Sequence, residues 1–247
     1  MFYKYSANSF AKMIPSTAKS LEIGPFQNPT LIGNNVKYFD IYTTEEIVSS
    51  LSAKHNRDAS RTPNIDYVSP KADLSIIDEK FDIIFSSHVI EHQPDLITHL
   101  HHIDRLLTYC GKYYIVIPDK RYCFDHYLTQ STISEIIVAY YQKIVRHSFL
   151  SQLKASCFTT HSNPRKHFIG LHKPVEQKLT RQNIEHSYST YCTSESYVDC
   201  HAWYFTPKSF KQIISHLNQL GYINLKIEKI YPTFPGKLEF YAILSKS

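Results

Sequence analysis

Glycine is scarce in this sequence, with 6 among 247 residues, whereas soluble proteins average roughly 7%. This small supply excludes collagen-like repeats and glycine-rich linkers. It also leaves little for the multi-glycine loops that bring the backbone close to the pyrophosphate of a dinucleotide. A cofactor loop in this chain therefore has to rely on one tight turn, which favours a cofactor without a pyrophosphate.

Paired cysteines and long apolar runs are also lacking. The five cysteines are odd in number and form no Cys-x-x-Cys pair, so neither a disulfide framework nor a four-cysteine zinc site is indicated. No apolar run reaches the roughly 18 residues that cross a bilayer, and the amino terminus lacks the apolar core of a signal peptide. We expect reduced thiols and a soluble protein of the cytoplasm.

The first half of the chain alternates short β-rich runs with helical patterns, which is typical of a parallel sheet covered by helices. The pattern predicts strands at 19–23, 36–41, 65–68, 81–86 and 112–117. It predicts a helix between the last two strands, with apolar residues at Leu96, Leu100, Ile103 and Leu107 and a stop at Gly111.

The C-terminal region predicts a second well-marked helix and two further strands. Thr206 suits the N-cap, Pro207 the first helical position and Gly221 the residue after the helix end. Strands at 223–230 and 238–244 have a short connection without a helix, so they must pair antiparallel. The sequence therefore predicts an α/β fold whose mostly parallel sheet ends in an antiparallel hairpin.

Residues 120–202 lie between these two parts and show a weak pattern, apart from a helical stretch at 134–149. A segment of this length is too long for a simple connection. We expect an inserted helical and loop cap at 120–202 on a core formed by 1–119 and 203–247. From Lys143 to His186 the chain carries eight lysines and arginines against two acids, so the excess positive charge is concentrated in this cap.

Polar residues stand where each predicted strand ends, which is where open α/β sheets bind their ligands. Glu22 and Gly24 flank the end of the first strand, Asp40 ends the second and Asp73-Leu74 follows the third. An acid at the position of Asp40 can accept hydrogen bonds from ribose hydroxyls, and Asp73 beside Leu74 suits the amino group and face of adenine. Each acid also has a simpler interpretation, since it could cap a turn or a helix or lie in solvent.

Six segments in this order and spacing resemble the class I S-adenosylmethionine-dependent methyltransferases: LEIGPFQNP, VKYFD, ADLS, FDIIFSSHVIEHQPD, GKYYIVIPDKRYCFD and VDCHAWYFTPKSF. The combination is similar to a subgroup found beside glycosyltransferases in bacterial surface-polysaccharide gene clusters. The resemblance implies a seven-stranded Rossmann-like sheet and S-adenosyl-L-methionine as cofactor. The cofactor residues that it implies are Glu22, Gly24, Pro25 and Ser87 at the methionine end, Asp40 and Ile41 at the ribose, and Asp73 and Leu74 at the adenine. Phe26 departs from the pattern, because many members carry a second glycine there.

The segment from His88 to His92 has the His-x-x-Glu-His spacing of some zinc peptidases. His88, Glu91 and His92 would share one helical face, so a metal ion is geometrically possible. A peptidase is disfavoured, because the segment directly follows a buried strand and the cofactor motifs would remain unexplained. A divalent ion, as the resemblance to some O-methyltransferases implies, and a purely structural role for Glu91 and His92 both remain open.

Methyl transfer to a hydroxyl group needs alignment and a base, and a histidine poised near neutrality is suited to that role. The candidates are His88, His126 and His201; Asp125 and Asp199 stand beside the latter two and could orient an imidazole. Each histidine could instead be a surface or core residue. No Asn-Pro-Pro-aromatic motif of amino-group methyltransferases follows the fourth strand, so oxygen methylation is favoured.

The positive residues of the cap suggest an anionic acceptor, such as a nucleotide-linked sugar, another anionic sugar or a capsule precursor, including a phosphoramidate. The candidate substrate residues are Lys120, Arg121, Tyr122, Arg165 and Lys166. The alternatives are an ordinary solvated face, a non-catalytic cofactor-binding scaffold of a glycan assembly complex, and an RNA methyltransferase. Nucleic acid is disfavoured as a partner, because the basic residues are dispersed and no RNA-binding motif is present. The sequence does not indicate an oligomeric state.

Overall fold

The computed structural model describes residues 6–55, 58–175, 178–193 and 198–246. Its strands are β1 (Ser20–Ile23), β2 (Val36–Asp40), β3 (Tyr67–Val68), β4 (Phe81–Ser87), β5 (Leu107–Pro118), β6 (Leu225–Tyr231) and β7 (Glu239–Lys246). They form one seven-stranded sheet in the order β3-β2-β1-β4-β5-β7-β6. Strands β1 to β5 pair in parallel, and β7 runs antiparallel to both β5 and β6. The predicted Rossmann-like sheet with its antiparallel C-terminal hairpin is confirmed.

The described helices fall into two groups, those packed along the sheet and those of the expected cap. The first group is α1 (Ala7–Ala11), α2 (Thr44–His55), α3 (Leu96–Leu106) and α8 (Pro207–Gln219). The second group is α4 (Ile133–Tyr141), α5 (Phe149–Cys157), α6 (Pro164–Phe168) and α7 (Arg181–Thr193). Two short 3₁₀ turns, Leu74–Ile76 and Ile90–His92, follow β3 and β4.

Both faces of the sheet carry a buried core. Successive side chains of a strand point to opposite faces, so neighbouring residues of one strand enter different cores. On β4, Ile84 packs into the larger core with α3 and α8, whereas Ile83 and Phe85 pack into a smaller core on the other face. Phe10 of α1 belongs to the smaller core, with its ring centroid 5.1 Å from that of Tyr241. The amino-terminal helix is thus anchored on the sheet through one aromatic side chain.

The helix before β5 ends earlier than its pattern predicts. The Asp95 side chain caps the beginning of α3, but Leu107 already has extended backbone and β5 begins there. Gly111 therefore lies inside a strand and not after a helix. A Cβ at Gly111 would come within 3.0 Å of the Thr108 backbone in the same strand, so a larger residue would crowd the beginning of β5.

The predicted C-terminal helix, α8, is confirmed together with its two end signals. The Thr206 side chain accepts a hydrogen bond from Ser209 N, Pro207 opens α8, and Gly221 follows the helix with a φ of 76°. A left-handed residue at this position is the usual way for a helix to end, and glycine adopts it without strain.

The prediction of a single helix at 134–149 is wrong for the second half of that range. Helix α4 ends at Tyr141, and Lys143 has a φ of 50°. This left-handed residue reverses the chain, and the Ile144 N–H donates to Ala139 O at 3.1 Å. Helix α4 contributes Ile136 to the larger core and contacts α3 and α8. The first helix of the expected cap is therefore packed against the helices that cover the sheet.

Among the described residues, no helix combines the length and the apolar character that a membrane crossing requires.

Candidate functional site

A cleft of about 310 Å³ opens where β1 and β4 end. Four of the expected cofactor residues line it, namely Glu22, Gly24, Pro25 and Ser87. The other lining residues are Ser6, Ala7, Asn8, Asn28 and Thr30. The cleft thus lies at the carboxyl edge of the sheet, with the start of α1 as one wall.

Gly24 makes the tight turn at the base of this cleft. It has a φ of 69°, and its N–H donates to Phe39 O at 2.8 Å. A Cβ at this position would come within 2.8 Å of Val89 Cγ2. Both the backbone conformation and the lack of space require glycine. Phe26, two residues later, also has a positive φ of 47°, so the conformation suited to a second glycine is present although the glycine is not.

Glu22 holds the loop that surrounds the cleft. It is 2% exposed, and its carboxylate accepts hydrogen bonds from Thr30 N at 2.9 Å and Leu31 N at 2.8 Å. Burial raises the pKa of Glu22 to about 7, against the lowering effect of these hydrogen bonds. Glu22 therefore fixes a turn, as its simpler interpretation has it, and lines the cleft as well.

Asp40 is arranged in a similar way at the end of β2. Its carboxylate accepts hydrogen bonds from the backbone N–H groups of Phe26, Ile41 and Tyr42 at 3.1, 2.7 and 3.2 Å. Burial raises its pKa, and the three hydrogen bonds oppose that shift. A carboxylate offers about four acceptor positions, so these bonds leave room for a further donor. Binding of a ribose by Asp40 stays a prediction, and so does the role of Ile41.

Asp73 and Leu74 are placed differently from each other. Asp73 Oδ1 accepts a hydrogen bond from Ser75 N at 2.8 Å and caps the turn Leu74–Ile76. That hydrogen bond lowers the pKa of Asp73, and its side chain remains about half exposed. Leu74 is 1% exposed and belongs to the larger core. The cap interpretation of Asp73 is realised, while contact of either residue with an adenine stays a prediction.

His88 follows β4 with a φ of 55° and lies between two carboxylates. Its Nε2 is 3.0 Å from Glu239 Oε2, and its Nδ1 is 3.5 Å from Glu91 Oε1. Burial lowers the pKa of His88, but the pairing with Glu239 and Glu91 outweighs burial and raises the pKa to about 10. An imidazolium has no lone pair for a proton at neutral pH, so this arrangement speaks against His88 as the base.

A second group of titratable side chains lies beside His88, and we call it the imidazole–carboxylate cluster: Glu91, His92, Asp125, Asp199 and His201. His201 Nδ1 is 2.6 Å from Asp125 Oδ2, and His92 Nδ1 is 2.9 Å from Asp199 Oδ1. His92 Nε2 and His201 Nε2 each lie 3.8 Å from Glu91 Oε1. The backbone joins the segments too, since Ala202 N and Trp203 N donate to Glu91 O.

The cluster changes the metal hypothesis from the sequence. Ligand atoms of Glu91, His92 and His201 lie within 4.8 Å of one another, and His88 is not part of that group. The local His-x-x-Glu-His spacing could not indicate His201, because the fold brings this residue in from the segment before α8.

The substrate residues predicted after β5 have partners within the chain. Arg121 forms a two-pronged ion pair with buried Asp119, with Nε–Oδ1 at 2.9 Å and Nη2–Oδ2 at 2.6 Å. Lys120 Nζ donates to His126 O at 2.9 Å, and burial lowers the pKa of Lys120. Part of the positive charge of this segment is thus used inside the protein.

Helix α6 brings the other two predicted substrate residues to the same place. The ring of Tyr122 stacks on Phe168 with 3.9 Å between centroids. Arg165 and Lys166, on the same short helix, are exposed and form no salt bridge with another described residue. The fold therefore brings residues 120–122 and 165–166 together.

His126 lies in the same region. Its Nδ1 is 2.8 Å from Arg121 O, and its ring stacks on His172 with 3.8 Å between centroids. Because a carbonyl oxygen only accepts, the proton of a neutral His126 is on Nδ1 and its Nε2 keeps a lone pair.

Three solved structures are similar to the chain. The CcbJ methyltransferase from Streptomyces caelestis is 8% identical, with a TM-score of 0.46 over 98% of this chain and 94% of that one. A protein from Rhodobacter sphaeroides described as a Zn-dependent alcohol dehydrogenase is 14% identical, with a TM-score of 0.49 over 98% and 89%. The plantazolicin methyltransferase BpumL, in complex with a substrate analogue and SAH, is 13% identical, with a TM-score of 0.46 over 98% and 80%.

The sequence itself gives a more specific match. Residues 30–115 match the family described as "Methyltransferase domain". No curated protein matches the chain. The matched range runs from the loop before β2 into β5, and it includes Asp40, Asp73, Ser87 and His88.

Proposed function

We propose that the chain is an S-adenosylmethionine-dependent methyltransferase that methylates an oxygen atom of an anionic sugar-type molecule, because residues 30–115 match the family described as "Methyltransferase domain". Such acceptors include sugar phosphates, nucleotide-linked sugars and precursors of a surface polysaccharide, with a phosphoramidate as one variant. The observation that carries this proposal is the position of α6, whose exposed Arg165 and Lys166 stand beside the segment that follows β5.

The donor side supports the proposal through its shape. The cleft at β1 and β4 is lined by Glu22, Gly24 and Ser87, which would hold the methionine end of the donor. Asp40 retains acceptor capacity for a ribose hydroxyl. S-adenosylmethionine contains no phosphate and needs no run of glycines, so the single turn at Gly24 is sufficient.

The acceptor side has to supply charge complementarity and a base. Arg165 and Lys166 would bind the anionic group, because both cations are exposed and have no acidic partner among the described residues. His126 is the base in this proposal, because its Nε2 keeps a lone pair while Nδ1 donates to Arg121 O. The acceptor oxygen then forms its bond to the methyl carbon, its proton passes to His126 Nε2, and S-adenosylhomocysteine leaves.

The test is turnover by the purified full chain with S-adenosylmethionine and a panel of acceptors. The panel holds nucleotide sugars and sugar phosphates, their neutral counterparts, and short RNAs. We expect S-adenosylhomocysteine with an anionic sugar and little with its neutral counterpart. Tight donor binding without product from any acceptor would favour the scaffold, and product from RNA alone would favour an RNA methyltransferase.

The acceptor residues are tested with a charge-matched pair of double variants. Arg165→Ala with Lys166→Ala should raise the acceptor KM by at least about tenfold, which is about 1.4 kcal/mol, and leave the donor KM unchanged. Lys211→Ala with Lys226→Ala removes the same charge from exposed positions on α8 and β6 and should change neither constant. Equal effects of the two pairs would show that net charge, and not α6, attracts the acceptor.

A further inference from the structure

Glu91 is a buried acid whose surroundings are unusual. It is 0% exposed, and neither carboxylate oxygen has a hydrogen-bond partner among the described residues. The nearest basic atoms, on three imidazoles, lie at 3.5 to 3.8 Å from Oε1, which is beyond hydrogen-bond distance. A buried carboxylate without hydrogen bonds is destabilised unless positive charge lies close to it. His88 supplies part of that charge at 3.5 Å, and His92 and His201 place two further nitrogen atoms around the same oxygen, where a cation would supply the rest.

The two histidines of the cluster present the right atoms to such a charge. Asp125 holds His201 at Nδ1, and Asp199 lies beside His92 at Nδ1. The hydrogen bond from His201 Nδ1 to Asp125 keeps the proton of a neutral His201 on that nitrogen, so its lone pair is on Nε2. His92 Nδ1 lies near Asp199 without hydrogen-bond geometry, so Asp199 acts on His92 through its charge. Both Nε2 atoms face Glu91. This carboxylate–histidine pairing is the usual outer support of histidines that bind a metal ion.

The spacing also fits a metal ion. Bonds of about 2.0–2.2 Å to nitrogen and oxygen in a tetrahedral site place two ligand atoms roughly 3.4 Å apart. In the cluster, Glu91 Oε1 lies 3.8 Å from each Nε2. Small side-chain shifts would therefore close the site around an ion.

We propose that Glu91, His92 and His201 bind one divalent transition-metal ion, for which Zn²⁺ is the best chemical fit. Two imidazoles and one carboxylate are a known zinc ligand set, and three protein ligands leave a further position open. Asp125 and Asp199 act as positioning residues that orient the two imidazoles. This site is independent of the acceptor proposed above.

The cap contains a second histidine group that serves as an internal control. Ring nitrogens of His126, His167 and His172 also lie within 4.8 Å of one another. They are already used, since His167 Nδ1 is 2.9 Å from His172 Nδ1 and His126 Nδ1 is bonded to Arg121 O. Buried His167 has partners at both ring nitrogens, because its Nε2 is also 2.8 Å from His161 O, so this group needs no ion to satisfy its buried member.

The experiment measures metal binding directly in the full chain, purified without a polyhistidine tag. Elemental analysis should find one equivalent of a transition metal, and the stripped protein should take up one equivalent of Zn²⁺ against a chromophoric chelator. Co²⁺ should give the absorption of a site with nitrogen and oxygen ligands. Glu91→Gln and His201→Gln should each weaken Zn²⁺ binding by more than about 100-fold, and Asp125→Asn by about 10- to 100-fold.

The control variant is His167→Gln, which should bind Zn²⁺ as the wild type does. Circular dichroism reports whether each variant is folded. If Glu91→Gln does not fold, the Asp125→Asn variant still tests the proposal. The proposal is overturned if the folded wild type takes up no ion. It is also overturned if His167→Gln abolishes binding while His201→Gln does not, or if Asp125→Asn binds as tightly as the wild type. In the case without any ion, protonated imidazoles would balance Glu91.

Discussion

The two halves of the carboxyl edge treat buried charge in opposite ways. At the ends of β1 and β2, Glu22 and Asp40 are surrounded by backbone N–H groups of the loops that follow them. Beyond the end of β4, Glu91 faces three imidazoles at 3.5 to 3.8 Å and forms no hydrogen bond through its carboxylate with a described residue. The acids of the first half are held by backbone hydrogen bonds, whereas the charge of Glu91 is balanced only through contacts with other titratable side chains.

This difference shows which interactions hold each half of the edge in its conformation. The loops around Glu22 and Asp40 are organised by hydrogen bonds within the chain, so the cleft that we propose for the donor has its shape without a ligand. The cluster around Glu91 depends on charges that a ligand or a proton can alter. We therefore expect changes on the donor half to act through backbone shape, and changes on the other half to act through charge.

Among the variants that test this difference between the two halves, we expect Gly24→Ala to have the largest effect on stability and donor binding. Left-handed backbone costs a non-glycine residue about 1–2 kcal/mol, and the Cβ would overlap Val89, which adds about 1–3 kcal/mol. We expect lower stability in urea and a donor Kd raised at least about tenfold by calorimetry. Gly221→Ala is the matched control, because Gly221 has a φ of 76° and open space around it. An unchanged donor Kd in Gly24→Ala would show that the turn does not shape the donor site.

A smaller effect is expected from His88→Gln, as a dependence of stability on pH. The pKa of His88 rises from an ordinary 6.5 to about 10 in the folded chain. The stability from its pairing is therefore complete below about pH 6.5 and is lost as the pH rises towards 10. The side chain is 35% exposed, so water screens the pairing. The free energy of unfolding should therefore change by less than about 1.4 kcal/mol per pH unit, which corresponds to less than one proton.

The measurement for His88 is urea unfolding between about pH 7.5 and 9.5. This range lies above the pKa of Glu22, which burial raises to about 7, so titration of Glu22 contributes little to the slope. The wild type should lose stability with rising pH more steeply than His88→Gln. Parallel curves would mean that Glu239 and Glu91 do not hold a proton on His88.

The smallest effect is expected from Phe26→Gly. Phe26 has a φ of 47° and a partly exposed ring, so glycine would relieve about 1 kcal/mol of backbone strain and lose a similar amount of packing. We expect a melting temperature within a few degrees of the wild type and an unchanged donor Kd. A large rise in donor Kd would show that the ring itself contacts the donor, and the donor half would then not act through backbone alone.

The sequence predicts the donor half better than the other half for a physical reason. Glu22, Gly24 and Asp40 act through residues within the same strand and loop or its neighbour, so motif and strand order together locate them. Glu91, Asp125 and His201 come from three separate segments, and only packing brings them within a few ångströms. Lys143 shows the same limit, because its left-handed backbone follows the end of α4 within a stretch whose apolar spacing predicts a longer helix.

The amino-terminal helix couples two parts of the molecule. Residues 6–8 form a wall of the cleft that we propose for the donor, while Phe10 of the same short helix is held among Tyr114 and Tyr241 on the sheet. Undocking of Phe10 would remove that wall, so donor binding and helix docking are linked equilibria. Linkage is reciprocal, and bound donor must therefore protect the amides of α1 from hydrogen exchange as much as the docked helix strengthens donor binding.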